Sequence, residues 1–263
     1  MIDAATRFVV IGAGEVGRRL AQALGRAGAP ALLVTRDSGW ESALDPTSRA
    51  ARIVAVREED LGAILERIPS RLRRQFVLVQ NGFLEAVHGD LGPVTRGLIW
   101  FTAKGEFFCE LRSSLFHGPL AAPLVEALSS GGLAARGVDD VSSFTCEMIV
   151  KGLWNTVVGL PLAVHGEDLR TYLSRRENEW RELLTEGARA ASMEYSVRVT
   201  GEEAAAALLA TTDQLGWVRG GAKALRWRNG AIALFGRRHG VPTPITDRLL
   251  RAVGFDPDGQ ATS

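Results

Sequence analysis

The sequence predicts an α/β protein: an N-terminal Rossmann-type, doubly wound sheet followed by an all-helical C-terminal domain. Three observations carry that expectation. A short apolar, β-rich segment, Phe8-Val9-Val10-Ile11, runs into Gly12-Ala13-Gly14-Glu15-Val16-Gly17, and Val16, Leu20 and Leu24 then recur at helical spacing. Short apolar runs alternate with amphipathic stretches through the first half, as parallel strands covered on both faces do. From about residue 142 strand signals become rare and helical periodicity dominates, which suggests two domains.

Taken in order, Ala31-Leu32-Leu33-Val34 is a second strand and Ile53-Val54-Ala55-Val56 a third. Leu61, Ile64, Leu65 and Ile68 then share one helix face, and Phe76-Val77-Leu78-Val79 is a strand ended by Gln80-Asn81-Gly82. Further strands are expected at Leu98-Ile99-Trp100-Phe101 and over residues 107–111, with Ser114-Leu115-Phe116 beside them and a helix over residues 120–128. Later helices are marked by Ile149, Leu153 and Val157, by Trp180, Leu183, Leu184 and Met193, by Leu225, Ile232 and Leu234, and by Leu249, Leu250 and Val253. Glu167 and Asp168 follow His165-Gly166 and start a helix, and residues 218–223, with Gly220-Gly221, form a loop. Trp217 and Trp227 are expected in the core. The expected domains are residues 1–141, which bind a dinucleotide, and 142–255, which are helical, with 256–263 a disordered tail.

Bulk properties narrow the class. The chain has 263 residues, 46% apolar and 23% charged, enough to bury a substantial core. With 31 basic and 30 acidic residues its net charge is +1, which gives no support for a nucleic-acid or membrane-surface partner. Cys109 and Cys146 are too few for a disulfide framework and read as small hydrophobes in a reducing compartment. No signal peptide opens the sequence, and the apolar run over residues 152–164 is broken by Asn155 and Pro161, so a cytoplasmic location is expected. His88, His117, His165 and His239 are scattered without ligand spacing, so no metal site is expected.

The glycine turn carries chemistry because of its context. Gly12 permits the tight turn, Gly14 lets a pyrophosphate approach the backbone, and Gly17 lets helix and strand pack closely. Phosphates would then face free N–H groups at a helix N-terminus. The nucleotide's ribose is read at the end of the second strand, here Val34-Thr35-Arg36-Asp37-Ser38. Thr35 and Arg36 fall where an acid would select NAD, and the guanidinium suits a 2′-phosphate, so NADP is favoured; Asp37 as an NAD-type acid is the alternative. In the second half Glu147, Lys151 and Asn155 are spaced by four and share a helix face bordered by Ile149, Val150, Leu153 and Trp154. A lysine there can protonate a developing alkoxide and attract an anionic substrate, with Glu147 orienting it. The same spacing also suits an ordinary surface ion pair.

With these residues in order, the chain resembles the ketopantoate reductase family, the NADPH-dependent enzymes of pantothenate biosynthesis and their relatives. The resemblance covers nearly the full length. It joins Gly12, Gly14, Gly17 and the Arg36 region to Gln80-Asn81-Gly82, which is similar to the family's Asn-Gly turn beside the nicotinamide. It extends to Glu147, Lys151 and Asn155, then to Asn229-Gly230 and His239-Gly240-Val241-Pro242-Thr243-Pro244. The resemblance implies an oxidoreductase that delivers hydride from NADPH to the carbonyl carbon of a 2-keto acid such as 2-dehydropantoate. Lys151 would protonate the oxygen, Asn81 would hold nicotinamide and lysine in register, and Asn155 would hydrogen-bond substrate. The implied cofactor set is Gly12, Ala13, Gly14, Glu15, Val16, Gly17, Thr35, Arg36, Arg57, Gln80 and Asn81. Arg57, read from the chain alone, is equally a surface arginine starting a helix. The implied partners are a small 2-keto acid and, as an open option, a second copy of the chain.

The chain also departs from that pattern. The family's active-site glutamate falls on Ala224, surrounded by Lys223, Arg226 and Arg228, and its second asparagine falls on Gly159. Its substrate-contacting serine has no clear counterpart, and Asp213 is the nearest upstream carboxylate. A site that loses polar partners loses affinity for the hydroxyl they bound. Two alternatives therefore stand: a related NADP-dependent oxidoreductase acting on another carbonyl or an imine, and a non-catalytic dinucleotide-binding protein.

Overall fold

The computed structural model describes residues 7–256 apart from 30, 36, 39 and 45–47. The chain forms two compact units, one of Met1–Gln80 and Asp90–Phe144, the other of Asn81–Gly89 and Thr145–Ser263.

The first unit opens with β1 (Phe8–Ile11), α1 (Glu15–Arg26), β2 (Ala31–Val34), β3 (Ala51–Val54), α2 (Glu58–Leu65) and β4 (Phe76–Leu78). The chain then visits the other unit, which holds α3 (Glu85–His88), and returns for β5 (Thr95–Leu98), β6 (Phe101–Lys104), β7 (Phe107–Glu110), β8 (Ser114–His117), α4 (Ala121–Ser130) and β9 (Ala135–Gly137). Its main sheet runs in the order β2-β1-β3-β4-β5-β8-β9. The first five strands are parallel, β8 is antiparallel to β5, and β9 is parallel to β8. Every residue of β1 is buried, because a strand covered on both faces has no solvent side. Val10, Ile53 and Val77 meet Leu20, Ala23 and Leu24 of α1 and Leu124 and Leu128 of α4 in one core. Val9, Ile11, Val54 and Leu78 alternate to the opposite face and are equally buried.

The strand order reverses at β1, flanked by β2 on one side and β3 on the other. In open α/β sheets such a reversal leaves a crevice at the carboxyl ends of the strands.

In the first unit, three details differ from the sequence reading. The third strand begins at Ala51 rather than Ile53, because Arg52 is fully buried within it. Its guanidinium donates to the Ala50 carbonyl at 2.8 Å and is also bonded to the Ala43 carbonyl and the Gln75 side chain. The apolar run over residues 98–101 is divided. Leu98 ends β5, and Phe101 begins a separate β6–β7 hairpin that lies against α1. There Arg19 stacks 5.0 Å from the Phe108 ring centroid, and the Gly105 N–H donates to Glu15 at 3.3 Å. β9, with the sequence Ala-Arg-Gly, carries no strand signal of its own and forms by pairing with β8.

The second unit, apart from α3, is α5 (Val141–Val158, from Thr145 on), α6 (Leu160–His165), α7 (Leu169–Arg175), α8 (Glu177–Tyr195), α9 (Gly201–Leu209), α10 (Thr212–Leu215), α11 (Asn229–His239) and α12 (Pro244–Ala252). Residues 141–165 are apolar and long enough to cross a membrane by composition, yet they break at Gly159 and are mostly buried in the fold. Gly187 of α8 leaves room for Leu153 of α5, whose Cδ2 would lie 2.5 Å from a Cβ there. Asp168 caps α7 by accepting the Thr171 N–H at 2.8 Å, and Thr200 with Glu203 forms a capping box on α9. Trp227 is buried, whereas Trp217 is 58% exposed and not a core residue as expected. The loop at 216–218 carries its ring outward, with the indole N–H bonded to the Gln214 carbonyl at 3.1 Å.

Glu186 of α8 holds the start of α12. Its carboxylate accepts the Ile245 N–H at 3.1 Å, the Thr246 N–H at 2.6 Å and the Thr246 hydroxyl at 2.6 Å. Burial pushes its pKa above the usual glutamate value in spite of those donors. The unfolded chain then ionises first as pH rises past about 4.3, and the folded state loses stability until Glu186 itself ionises. Glu186→Gln is expected to destabilise the protein by about 1–3 kcal/mol. The gap from wild type should narrow as pH rises above the ordinary glutamate range, read as thermal midpoints across pH.

Candidate functional site

In the first unit, Gly12 stands at the carboxyl end of β1 with φ 111°, a conformation that favours glycine. Its N–H donates to the Val34 carbonyl at 2.9 Å, and a Cβ there would lie 2.6 Å from the Ala55 carbonyl oxygen at the end of β3. A Cβ on Gly17 would overlap the Gly12 carbonyl, so the first turn of α1 is seated directly on the loop. Gly14 is different. Its φ is −71°, no atom lies within 4 Å of a Cβ position, and it is exposed. Neither backbone strain nor packing requires glycine there. It is also the N-cap of α1, and no side chain caps that helix, which starts at the carboxyl end of β1, where the strand order reverses. Helix N-termini of this kind are favourable places for an anion.

The remaining residues of the expected cofactor set surround this loop unevenly. Val16 packs into the core and Ala13 is half-buried. Glu15 is turned to the Gly105 N–H of the β6–β7 hairpin. Thr35 ends β2 in a turn closed by Ser38, whose side-chain oxygen accepts the Thr35 N–H at 2.8 Å. Arg36 lies outside the described residues. Arg57 is the N-cap of α2, exposed, and paired with Asp60 at 3.6 Å. Gln80 is buried and donates to the Val54 carbonyl at 2.9 Å and the Val56 carbonyl at 3.2 Å, tying the ends of β3 and β4 together. Its side-chain oxygen is buried without a partner.

The other expected site residues belong to the second unit. Lys151 and Asn155 lie one turn apart on α5, and each is only 5% exposed. The Lys151 ammonium lies 4.0 Å from the ring centroid of Trp154. The Trp154 indole N–H donates to the Thr211 hydroxyl at 2.9 Å, and that hydroxyl donates to the Leu208 carbonyl at 2.8 Å. The cation is thus seated on an aromatic face that is itself fixed. The side-chain nitrogen of Asn155 is buried with no hydrogen-bond partner. A buried donor left unmade costs stability. Glu147 is half-buried one turn earlier.

Asn81 precedes Gly82, whose φ is 88°. A Cβ at Gly82 would overlap the Trp227 carbonyl, and the same carbonyl accepts the Phe83 N–H at 2.8 Å. Phe83 packs on Tyr195 and Phe235, and a Cβ at Gly152 would overlap its ring. The Asn81 turn is therefore docked on α5 one residue past Lys151. The Trp227 indole N–H donates to His88 Nε2 at 3.3 Å, and burial, aided by Arg226, lowers the His88 pKa so that the nitrogen accepts at neutral pH.

Where the family resemblance expects two more polar residues, the chain brings backbone together. Gly159 begins α6, and Gly220 has no room for a Cβ against the Gly159 carbonyl. Ala224 is buried in the left-handed conformation, φ 51°. Gly152, Trp154, Trp227 and the Gly159–Gly220 contact were not singled out by the sequence as parts of the site. A glycine in mid-helix was the one available signal, since it costs about 1 kcal/mol unless close packing needs it.

The fold is that of two-domain nicotinamide-dependent dehydrogenases. Among solved structures with this fold, D-mandelate dehydrogenase in ternary complex with NADH and anilino(oxo)acetate is 18% identical, with TM-score 0.72 over 95% of this chain and 98% of that one. The dimeric ketopantoate reductase from Staphylococcus aureus is 18% identical with TM-score 0.70, over 94% of this chain and 98% of its own. A PanE/ApbA family ketopantoate reductase from Ralstonia eutropha JMP134 is 18% identical with TM-score 0.73, over 97% and 99%. No family model and no curated sequence matches the chain.

The glycine geometry makes a separable prediction. Gly14→Ala should cost under about 1 kcal/mol of stability yet weaken dinucleotide affinity at least ~10-fold. Gly17→Ala should destabilise the fold itself by about 1–3 kcal/mol or more. Calorimetric binding and thermal midpoints, measured on both variants, check this.

Proposed function

We propose that the protein is an NADPH-dependent reductase of a 2-keto acid, of ketopantoate reductase type, with the first unit holding the dinucleotide and the second the substrate. The observation that carries this reading is the buried pair on α5, Lys151 set on the Trp154 ring and Asn155 with an unpaired amide nitrogen. The open N-terminus of α1 beside Gly14 supports the cofactor assignment. When bound, the dihydronicotinamide supplies hydride to the carbonyl carbon. Lys151 donates the proton that the carbonyl oxygen needs as it becomes an alkoxide, and its charge favours an anionic substrate. Asn155 donates a hydrogen bond to the substrate. Asn81, fixed by the Gly82 and Phe83 contacts, keeps lysine and nicotinamide in register. NADP is preferred over NAD on the sequence position of Arg36. The proposal includes a cytoplasmic protein able to form a homodimer.

A second reading is favoured by one observation. Ala224 and Gly159 replace the side chains that the resemblance leads one to expect. That supports a related oxidoreductase acting on another carbonyl or an imine rather than on 2-dehydropantoate.

Turnover of NADPH with 2-dehydropantoate and a panel of 2-keto acids tests both readings. Lys151→Ala should lower kcat by about 10²–10⁴ while NADPH binding persists. Arg36→Ala should weaken NADPH but not NADH. Unchanged turnover in Lys151→Ala would remove the proton donor from the account, and NADH bound as tightly as NADPH would remove the nucleotide assignment.

A further inference from the structure

The segment that replaces the expected carboxylate is strongly basic. Between Asp213 and Asp247 the sequence has no acidic residue, while Arg219, Lys223, Arg226 and Arg228 fall close together. Several other arginines of the second unit are matched with carboxylates, among them Arg176 with Glu167, Arg181 with Glu177, Arg237 with Asp247, Arg238 with Glu194 and Arg248 with Glu179. Among the described residues no such ion pair joins Lys223 or Arg226, and both are exposed. Balanced charge overall makes this local excess a feature of the segment and not of the chain.

The segment is also pinned along α5. Gly220 abuts the Gly159 carbonyl, with the Val158 carbonyl 2.9 Å from its Cβ position. Asn229 donates to the Thr156 carbonyl at 3.3 Å. The Trp227 carbonyl holds Phe83, which packs on Gly152. Residues 220–229 therefore run beside the turns of α5 that carry the unpaired Asn155 amide and Lys151. Ala224, buried in a left-handed conformation, leaves no acid in the middle of that run.

We propose that the substrate is a 2-oxo dicarboxylate: Lys151 and Asn155 take the 2-oxo acid end, and Lys223 and Arg226 bind the distal carboxylate. This rests on the reading of Lys151 and Asn155 as the keto-acid end of the site. It accounts for a segment that holds no acid, which would repel a second anion, and for the cations within it. Charges at the rim of a site select partners by complementarity.

The test uses two five-carbon acids that differ only in the distal group, 2-oxoglutarate and 2-oxopentanoate, with NADPH as reductant. The expected result is a kcat/KM at least tenfold higher for 2-oxoglutarate, about 1.4 kcal/mol, carried mainly by KM. Lys223→Glu and Arg226→Glu should each lower that ratio about tenfold, and added salt should lower it too. Arg189→Glu, the same charge change on the exposed side of α8, should leave the ratio as in wild type. Equal use of the two acids, or a ratio that survives both charge reversals, overturns the proposal. If neither acid is reduced, the proposed activity fails on these substrates, and calorimetry on the NADP-saturated protein still decides this point. Tighter binding of 2-oxoglutarate that is lost in Lys223→Glu supports it, and equal or absent binding of the two acids overturns it.

Discussion

Close approach to backbone that has no side chain is the constraint that shapes each of the two units. In the first unit, Gly17 lies against the Gly12 carbonyl and Gly12 against Ala55. Those contacts fix the start of α1 at the place where the strand order reverses. In the second unit, Gly82 lies against the Trp227 carbonyl, Gly152 against Phe83, and Gly220 against Gly159. Side chains of any size at these points would push the helices off their positions, since interiors are too dense to absorb an extra methyl without strain. Gly14 stands apart because, among the described residues, no atom lies within 4 Å of its Cβ position.

On that frame sit groups whose hydrogen bonding or charge the protein does not complete by itself. Asn155 and Gln80 each bury a polar atom with no partner. The N-terminus of α1 has no capping side chain, as is true of most helices here apart from α7 and α9. Stable folds rarely leave such groups unmatched away from sites of function. Other buried polar groups are fully engaged: Glu186 accepts three bonds at α12, and Arg52 is surrounded by carbonyls.

The parts of this arrangement legible in the sequence are local ones. Strand, glycine turn and helix follow one another within twenty residues, so Phe8 to Leu24 could be read directly. Lys151 and Asn155 are one helical turn apart and share a face by geometry alone. What could not be read depends on distant pairing. Thr211 fixes Trp154 across 57 positions, and Trp227 reaches His88 across 139. β9 exists because β8 offers an edge, not because Ala-Arg-Gly favours a strand. The apolar stretch at 98–101 looked like one strand, yet β5 ends at Leu98 and Phe101 starts a separate hairpin. Trp217 shows the converse: a large apolar residue carries no address, and this one lies at the surface.

The central claim is that this chain moves a hydride from a nicotinamide dinucleotide to the carbonyl carbon of a 2-keto acid. Its most direct measurement follows the hydrogen itself. The protein is incubated with NADPH deuterated at the transferring C4 position and a panel of 2-keto acids, and the products are weighed by mass spectrometry. The account predicts one deuterium at C2 of a 2-hydroxy acid product. Deuterium retained in the dinucleotide across the panel, with NADPH bound but unconsumed, would contradict it.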